Sequence, residues 1–126
     1  MSEVRAPLRE LKNFLMRDLK ATFSSVHVLP FNPYSSDDGF SVIDYKAVNP
    51  ELGTWEDLAS ISEEFDLMAD MVINHCSRES RWFQNFLAGR GKGSDYFING
   101  LNYEDLSRVV RPRSSPLLTK VETVDG

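Results

Sequence analysis

The chain has little with which to cross-link itself or to hold a metal. Among its 126 residues there is one cysteine, Cys76, and there are two histidines. A lone cysteine excludes an internal disulfide and suits a reducing compartment. So few thiols and imidazoles leave a zinc site short of ligands. Basic charge is also scarce: 14 Lys and Arg stand against 19 Asp and Glu, a net charge of −5. That balance argues against a binder of phosphate backbones, so no nucleic-acid partner is expected. Long apolar runs are missing too. None approaches the ~20 residues of a membrane span, and no membrane partner is expected. The opening "MSEVRAPLRELK" has acidic residues and no apolar core, unlike a secretory signal. The expectation is a cytoplasmic protein. What remains is globular in composition, 41% hydrophobic and 26% charged, without repeats or low-complexity tracts.

The pattern along the chain alternates. In "PLRELKNFLMRDLKAT", Leu8, Leu11, Leu15 and Leu19 recur at spacings of three and four, one apolar stripe of a helix over 7–22. "SSVHVLP" is short, β-branched and closed by proline, which predicts a buried strand from Ser24 to Pro30. Thr54 and Asp57 have the spacing of a capping box, so a second helix is predicted over Thr54–Phe65, with Trp55, Leu58, Ile61 and Phe65 on one face. The apolar run Leu67–Ile73 after it fits a buried strand or a buried helix by period alone; the helix before it and the polar "NHCS" after it favour a second strand, ending at His75 in "DMVINH". A third helix in "ESRWFQNFLAG" turns Trp82, Phe83, Phe86 and Leu87 toward a core. Helices alternating with strands imply an α/β fold with parallel βα units. Two strands are too few for an open sheet covered on both faces, so the chain reads as a slice of a larger architecture.

In such architectures ligands gather at the carboxyl ends of the strands. Two sets of residues fall there. The loop "LPFNPYSSDDGFSVIDY", Leu29 to Tyr45, carries Asp37, Asp38, Phe40, Asp44 and Tyr45; the end of the second strand, "DMVINH", carries Asp70, Asn74 and His75. A sugar presents hydroxyls around its edge and C–H bonds on its faces. Carboxylates, an imidazole and an aromatic ring answer both needs, and Asp37 or Asp38, His75 and Phe40 supply them. The plain alternative is an Asp-rich turn with core aromatics and a histidine that caps a strand.

Other chemistries fit less well. "GRGKGS" departs from the spacing of a phosphate-binding loop and follows a helix rather than a strand, so a flexible turn is the better reading. Asp70, Asn74 and His75 can ligate a hard metal, yet neighbours on a strand face opposite sides. Cys76 beside His75 is no dyad by adjacency alone. The arginines of "RPR", Arg111 and Arg113, can grip an anion or simply be solvated.

Taken together, "VHVLPFNPYSSDDGFSVIDYKAVNPELGTWEDL", "FDLMADMVINHCSRESRWFQNFL" and "VVRPRSSPLLTKVET" closely resemble the sucrose phosphorylase branch of glycoside hydrolase family thirteen. That branch belongs to the α-amylase superfamily and includes sucrose and glucosylglycerate phosphorylases. The resemblance runs from about Leu8 to the end, and "DMVINH" matches the family's D-x-x-x-N-H region. It implies a partial (β/α)8 barrel, running from the first helix to the third strand over residues 1–75. Residues 76–126 would begin a domain inserted after that strand. It implies that Asp37 and His75 hold hydroxyls of a glucosyl unit, that Phe40 lies beneath it, and that Arg113 meets phosphate or the acceptor. Asp70 and Asn74 match scaffold positions. It implies no metal and no cofactor, with inorganic phosphate as co-substrate and an α-glucoside as small-molecule partner.

The departures from the family matter as much. Retaining transfer needs a carboxylate nucleophile and an acid/base, which the family places after the fourth and fifth strands. Neither region is present, so no catalytic residue is expected in this chain. A full barrel takes about 250 residues, and the missing remainder of the barrel is the implied partner. Asn32 in "PFNPY" stands where the branch usually has an aromatic. The leading expectation is an N-terminal fragment of a retaining glucosyl-transferring phosphorylase, inactive alone. The alternatives are a catalytically dead remnant with at most weak sugar binding, and a fragment of an α-glucoside hydrolase.

Overall fold

The computed structural model describes residues 6–99, 109–110 and 118–124. Pro7 opens helix α1, Pro7–Phe14, where its missing N–H loses no partner and its fixed φ already suits the helix. The helix runs on as a π-helical turn, Leu15–Leu19. It stops there, short of residue 22, with the N–H groups of Thr22 and Phe23 both folding back on the Leu19 carbonyl. The leucine stripe lies where its spacing puts it. Leu8 and Leu15 are buried, and Leu11 and Leu19 pack half-buried beside them.

Strands β1, Ser25–Val28, and β2, Asp66–Ala69, pair in parallel, with Ser25 opposite Asp66 and Val28 opposite Ala69. Between them lie the Asp-rich loop and helix α2, Trp55–Ser62, which makes β1–α2–β2 one parallel crossover unit. Val26, Val28 and Leu67 turn toward the helices. His27 and its register partner Met68 lie exposed on the opposite face.

The predicted strand Leu67–His75 is therefore much shorter than its apolar run. Hydrogen-bonded neighbours, not hydrophobicity, set the length of a strand. β1 offers partners only as far as Val28, and Pro30 just beyond has no N–H to give. Past Ala69 the chain leaves the sheet with Met71 80% and Ile73 73% exposed. Asn74 and His75 consequently sit in irregular chain, and the alternation of a strand does not govern which way they point.

The start of α2 is as predicted. The Thr54 N–H donates to Asp57 Oδ2 at 3.0 Å and the Asp57 N–H to Thr54 Oγ1 at 3.3 Å, a reciprocal capping box. Arg9 Nε reaches Asp57 Oδ1 at 3.2 Å, tying α1 to this cap. Gly53 (φ +149°) has no room for a side chain, since a Cβ would stand 2.7 Å from Asp57 Oδ2. The core gathers Leu8, Leu15, Val28, Val48, Leu58, Ile61 and Phe65 between the helices and the sheet. Complete burial of each such side chain contributes about 1.5–3 kcal/mol. Trp55 departs from its predicted face. It is 48% exposed, its indole N–H donates to the Lys46 carbonyl, and its ring meets Phe31 edge-on at 5.6 Å.

The chain forms two compact units, dividing between Ser80 and Arg81. The second contains helix α3, Arg81–Leu87. Phe86 is buried there, with Phe83 and Phe97 at ring distances of 5.9 and 5.1 Å. The "GRGKG" turn is fastened to this helix: Asn85 Nδ2 donates to the Lys92 carbonyl at 2.8 Å and the Arg90 N–H to the Asn85 carbonyl at 3.1 Å. The stretch is a turn, as expected, and those two bonds hold it to α3.

Candidate functional site

The loop that leaves β1 doubles back on itself. The Ile43 N–H donates to the Pro33 carbonyl at 2.7 Å and the Ser35 N–H to the Ser41 carbonyl at 3.0 Å, with an antiparallel bridge between Tyr34 and Val42. Asn32, the departure from the family's aromatic, closes the base by donating from Nδ2 to the Ala47 carbonyl at 2.8 Å. At the tip three successive residues have positive φ: Asp37 at 60°, Asp38 at 49° and Gly39 at 101°. Side chains with a Cβ pay roughly 1–2 kcal/mol per residue in this conformation, aspartate less than most. Gly39 takes it freely and must be glycine for another reason, because a Cβ would approach the Pro30 carbonyl oxygen to 3.0 Å. The tip thus packs against the end of β1. It leaves the carboxylates of Asp37 and Asp38 exposed, without a hydrogen-bond partner among the described residues. Left-handed backbone and exposed carboxylates thus coincide at this tip.

His75 is brought to this tip. The Phe40 N–H donates to the Asp37 carbonyl at 2.9 Å, and His75 Nε2 lies 3.0 Å from the Phe40 carbonyl oxygen. A carbonyl only accepts, so Nε2 carries the proton; in the neutral ring Nδ1 is then the acceptor. The Phe40 backbone joins the Asp37 carbonyl to the His75 ring in one hydrogen-bonded chain, with Phe40 half-buried and Asp37 and His75 exposed. The His75 peptide is held as well. Tyr45 donates its hydroxyl to the His75 carbonyl at 2.5 Å, the Ser77 N–H donates to the Val42 carbonyl at 2.7 Å, and the Ser35 and Ser77 hydroxyls meet at 2.6 Å.

Burial pushes the Tyr45 hydroxyl above its ordinary range, and the nearby Cys76 adds to that when charged. Burial also raises the Cys76 thiol, against a hydrogen bond from Ser80. Both stay protonated at neutral pH, so Tyr45 can donate and Cys76 is no thiolate nucleophile. Among the described residues no three His, Cys, Asp or Glu side chains gather as a metal site. Arg113 lies outside the described residues. A groove of about 560 Å³ runs between Lys20–Ser24 and Ser62–Asp66. It sits at the amino ends of β1 and β2, the end of a βα unit that carries stability rather than ligands.

The parts that sequence reading missed are the fasteners. Ser35 and Ser77 are 42 residues apart, and no periodicity marks either. His27 on β1 reaches Asp70 just beyond β2, Nε2 to Oδ2 at 2.9 Å. Only a parallel register, not a motif, would have paired them.

The family of α-amylase catalytic domains matches residues 17–114, and the chain belongs to it. Its β1–α2–β2 unit is accordingly part of a (β/α)8 barrel, as the resemblance implied. A glucosylglycerate phosphorylase of Spirochaeta thermophila is 54% identical over 121 residues, 96% of this chain and 21% of that protein. A sucrose phosphorylase of Agrobacterium vitis is 37% identical over 116 residues, covering 82% of this chain and 24% of that one. The crystal structure of sucrose 6F-phosphate phosphorylase from Thermoanaerobacter thermosaccharolyticum superposes with a TM-score of 0.63 at 40% identity, over 71% of this chain and 18% of the other. The chain therefore spans about a fifth of the length of the relatives it matches.

Proposed function

We propose that this chain carries the donor-sugar rim of a retaining glycoside phosphorylase, a protein that moves a glucosyl group from an α-glucoside to inorganic phosphate. The carrying observation is the fastened chain Asp37–Phe40–His75 beside exposed carboxylates that have left-handed backbone and no partner among the described residues. In this reading Asp37 accepts hydrogen bonds from glucosyl hydroxyls, His75 binds another, and the Phe40 ring lies under the C–H face. The nucleophile and acid/base belong to parts of the barrel outside these 126 residues, and Arg113 meets phosphate or the acceptor. Residues 76–126 begin the inserted domain. The greater identity to the glucosylglycerate phosphorylase, 54% against 37%, favours glucosylglycerate over sucrose as donor.

The test is a graft. This chain replaces the matching segment of the Spirochaeta thermophila enzyme, and release of glucose 1-phosphate from glucosylglycerate is followed with and without phosphate. The graft is expected to turn over, His75→Ala within it to lose about 100-fold or more in kcat/KM, and the 126-residue chain alone to give no product. Turnover by the chain alone, or a graft indifferent to His75, contradicts the proposal. Product formed equally well without phosphate favours the hydrolase reading.

A second reading has its own observation. Met68, Met71 and Ile73 are 57%, 80% and 73% exposed, at and beyond β2. An uncovered face of this kind suits association with the remaining barrel, so a chain that binds sugar weakly or not at all can still be an assembly partner.

A further inference from the structure

His75 is fixed at two points. Its ring donates to the Phe40 carbonyl at 3.0 Å, and its own carbonyl accepts the Tyr45 hydroxyl at 2.5 Å. The first bond orients the imidazole against the loop. By itself it leaves the backbone of residue 75 some freedom, since this segment belongs to no strand and its neighbouring fastening is two residues on, at Ser77. The second bond removes that freedom. It arrives from the same loop, five residues after Phe40, so ring and peptide are referred to one hydrogen-bonded piece of chain. Burial keeps the Tyr45 hydroxyl protonated, and a hydroxyl that donates has no equivalent in phenylalanine.

We propose that Tyr45 is a positioning residue, which holds the His75 peptide so that its imidazole stays aligned with Phe40 and Asp37 at the sugar rim. The role of the rim rests on the reading above; the positioning of the imidazole is tested without it. Tyr45 touches no sugar in this assignment and acts through His75.

The experiment uses the whole 126-residue chain labelled with nitrogen-15, and compares wild type with Tyr45→Phe and Ser35→Ala. Ser35→Ala removes a hydroxyl from the same fastening, the one on Ser77, without touching His75. Two readouts are followed: the His75 imidazole Nε2–H resonance, sheltered from exchange by the Phe40 carbonyl, and the affinity for α-glucose 1-phosphate. Circular dichroism verifies the fold.

Tyr45→Phe is expected to fold, to lose the sheltered Nε2–H signal, and to bind α-glucose 1-phosphate about tenfold more weakly, the loss of one well-placed hydrogen bond. Ser35→Ala is expected to keep the Nε2–H signal even where it lowers the melting temperature. The proposal is overturned if Tyr45→Phe keeps the His75 signal, if it fails to fold, or if Ser35→Ala loses the signal equally. A wild-type chain that shows the sheltered Nε2–H yet does not respond to α-glucose 1-phosphate removes the sugar reading, while the imidazole signal still decides the role of Tyr45.

Discussion

Asp37 and Asp38 are neighbours of the same type in the same unusual backbone, yet they are assigned different work. Both have left-handed φ, and neither carboxylate has a partner among the described residues. Only Asp37 is joined through its carbonyl to Phe40 and on to His75. Asp38→Gly relieves strain and touches nothing in that chain. It is expected to raise stability by up to about 1 kcal/mol in urea denaturation, with sugar affinity unchanged. Asp37→Gly relieves similar strain and is expected to abolish binding of α-glucose 1-phosphate. Equal losses of affinity in both variants would remove the distinction. The sequence displayed the aspartates, the phenylalanine and the histidine because their chemistry is visible in residue type. It did not display Ser35, Ser77 or the task of Tyr45, since a hydroxyl becomes a fastener only through what lies across from it in space.

Helix α2 and strand β2 show opposite limits of local signals. The α2 start was legible because a capping box is written within four residues, and Thr54 and Asp57 form it as their spacing requires. Arg9 was not legible there, coming from 48 residues away. Burial pushes the Asp57 carboxyl up, but the Arg9 guanidinium and the Thr54 N–H and hydroxyl outweigh it and hold the carboxyl below its usual range. A carboxyl lowered in the folded state adds stability that is present above the unfolded value, about pH 4, and is lost as pH falls through the lower folded value. Thr54→Ala is expected to cost about 1 kcal/mol at pH 7. Asp57→Ala is expected to cost more, with its deficit against wild type shrinking as the chain is titrated toward pH 3. A deficit independent of pH would assign Asp57 to packing alone. For β2 the stretch Leu67–His75 suggested nine residues of strand where pairing supports four. Ile61→Ala in the core is expected to cost about 2–5 kcal/mol. Met71→Ala, beyond the strand, is expected to stay within about 0.5 kcal/mol. A large loss at Met71 would mean that the apolar run is buried after all.

At the scale of the whole molecule, the α/β alternation was legible as far as the helices and strands went, and two predicted strands, the number paired among the described residues, suggested a slice of a larger architecture. The family match and the parallel β1–α2–β2 unit place that unit in a (β/α)8 barrel. The exposed face of β2 and the chain's share of about a fifth of its relatives' length belong to the same picture. No helix among the described residues is long and apolar enough to cross a membrane. The measurement that bears most directly on the sugar rim is a nitrogen-15 shift map of the chain titrated with α-glucose 1-phosphate. Saturable shifts confined to Asp37–Phe40 and His75, absent in His75→Ala, are the expected result. Shifts centred on the groove at Lys20–Ser24, or no saturable shift at all, would contradict the sugar-rim assignment.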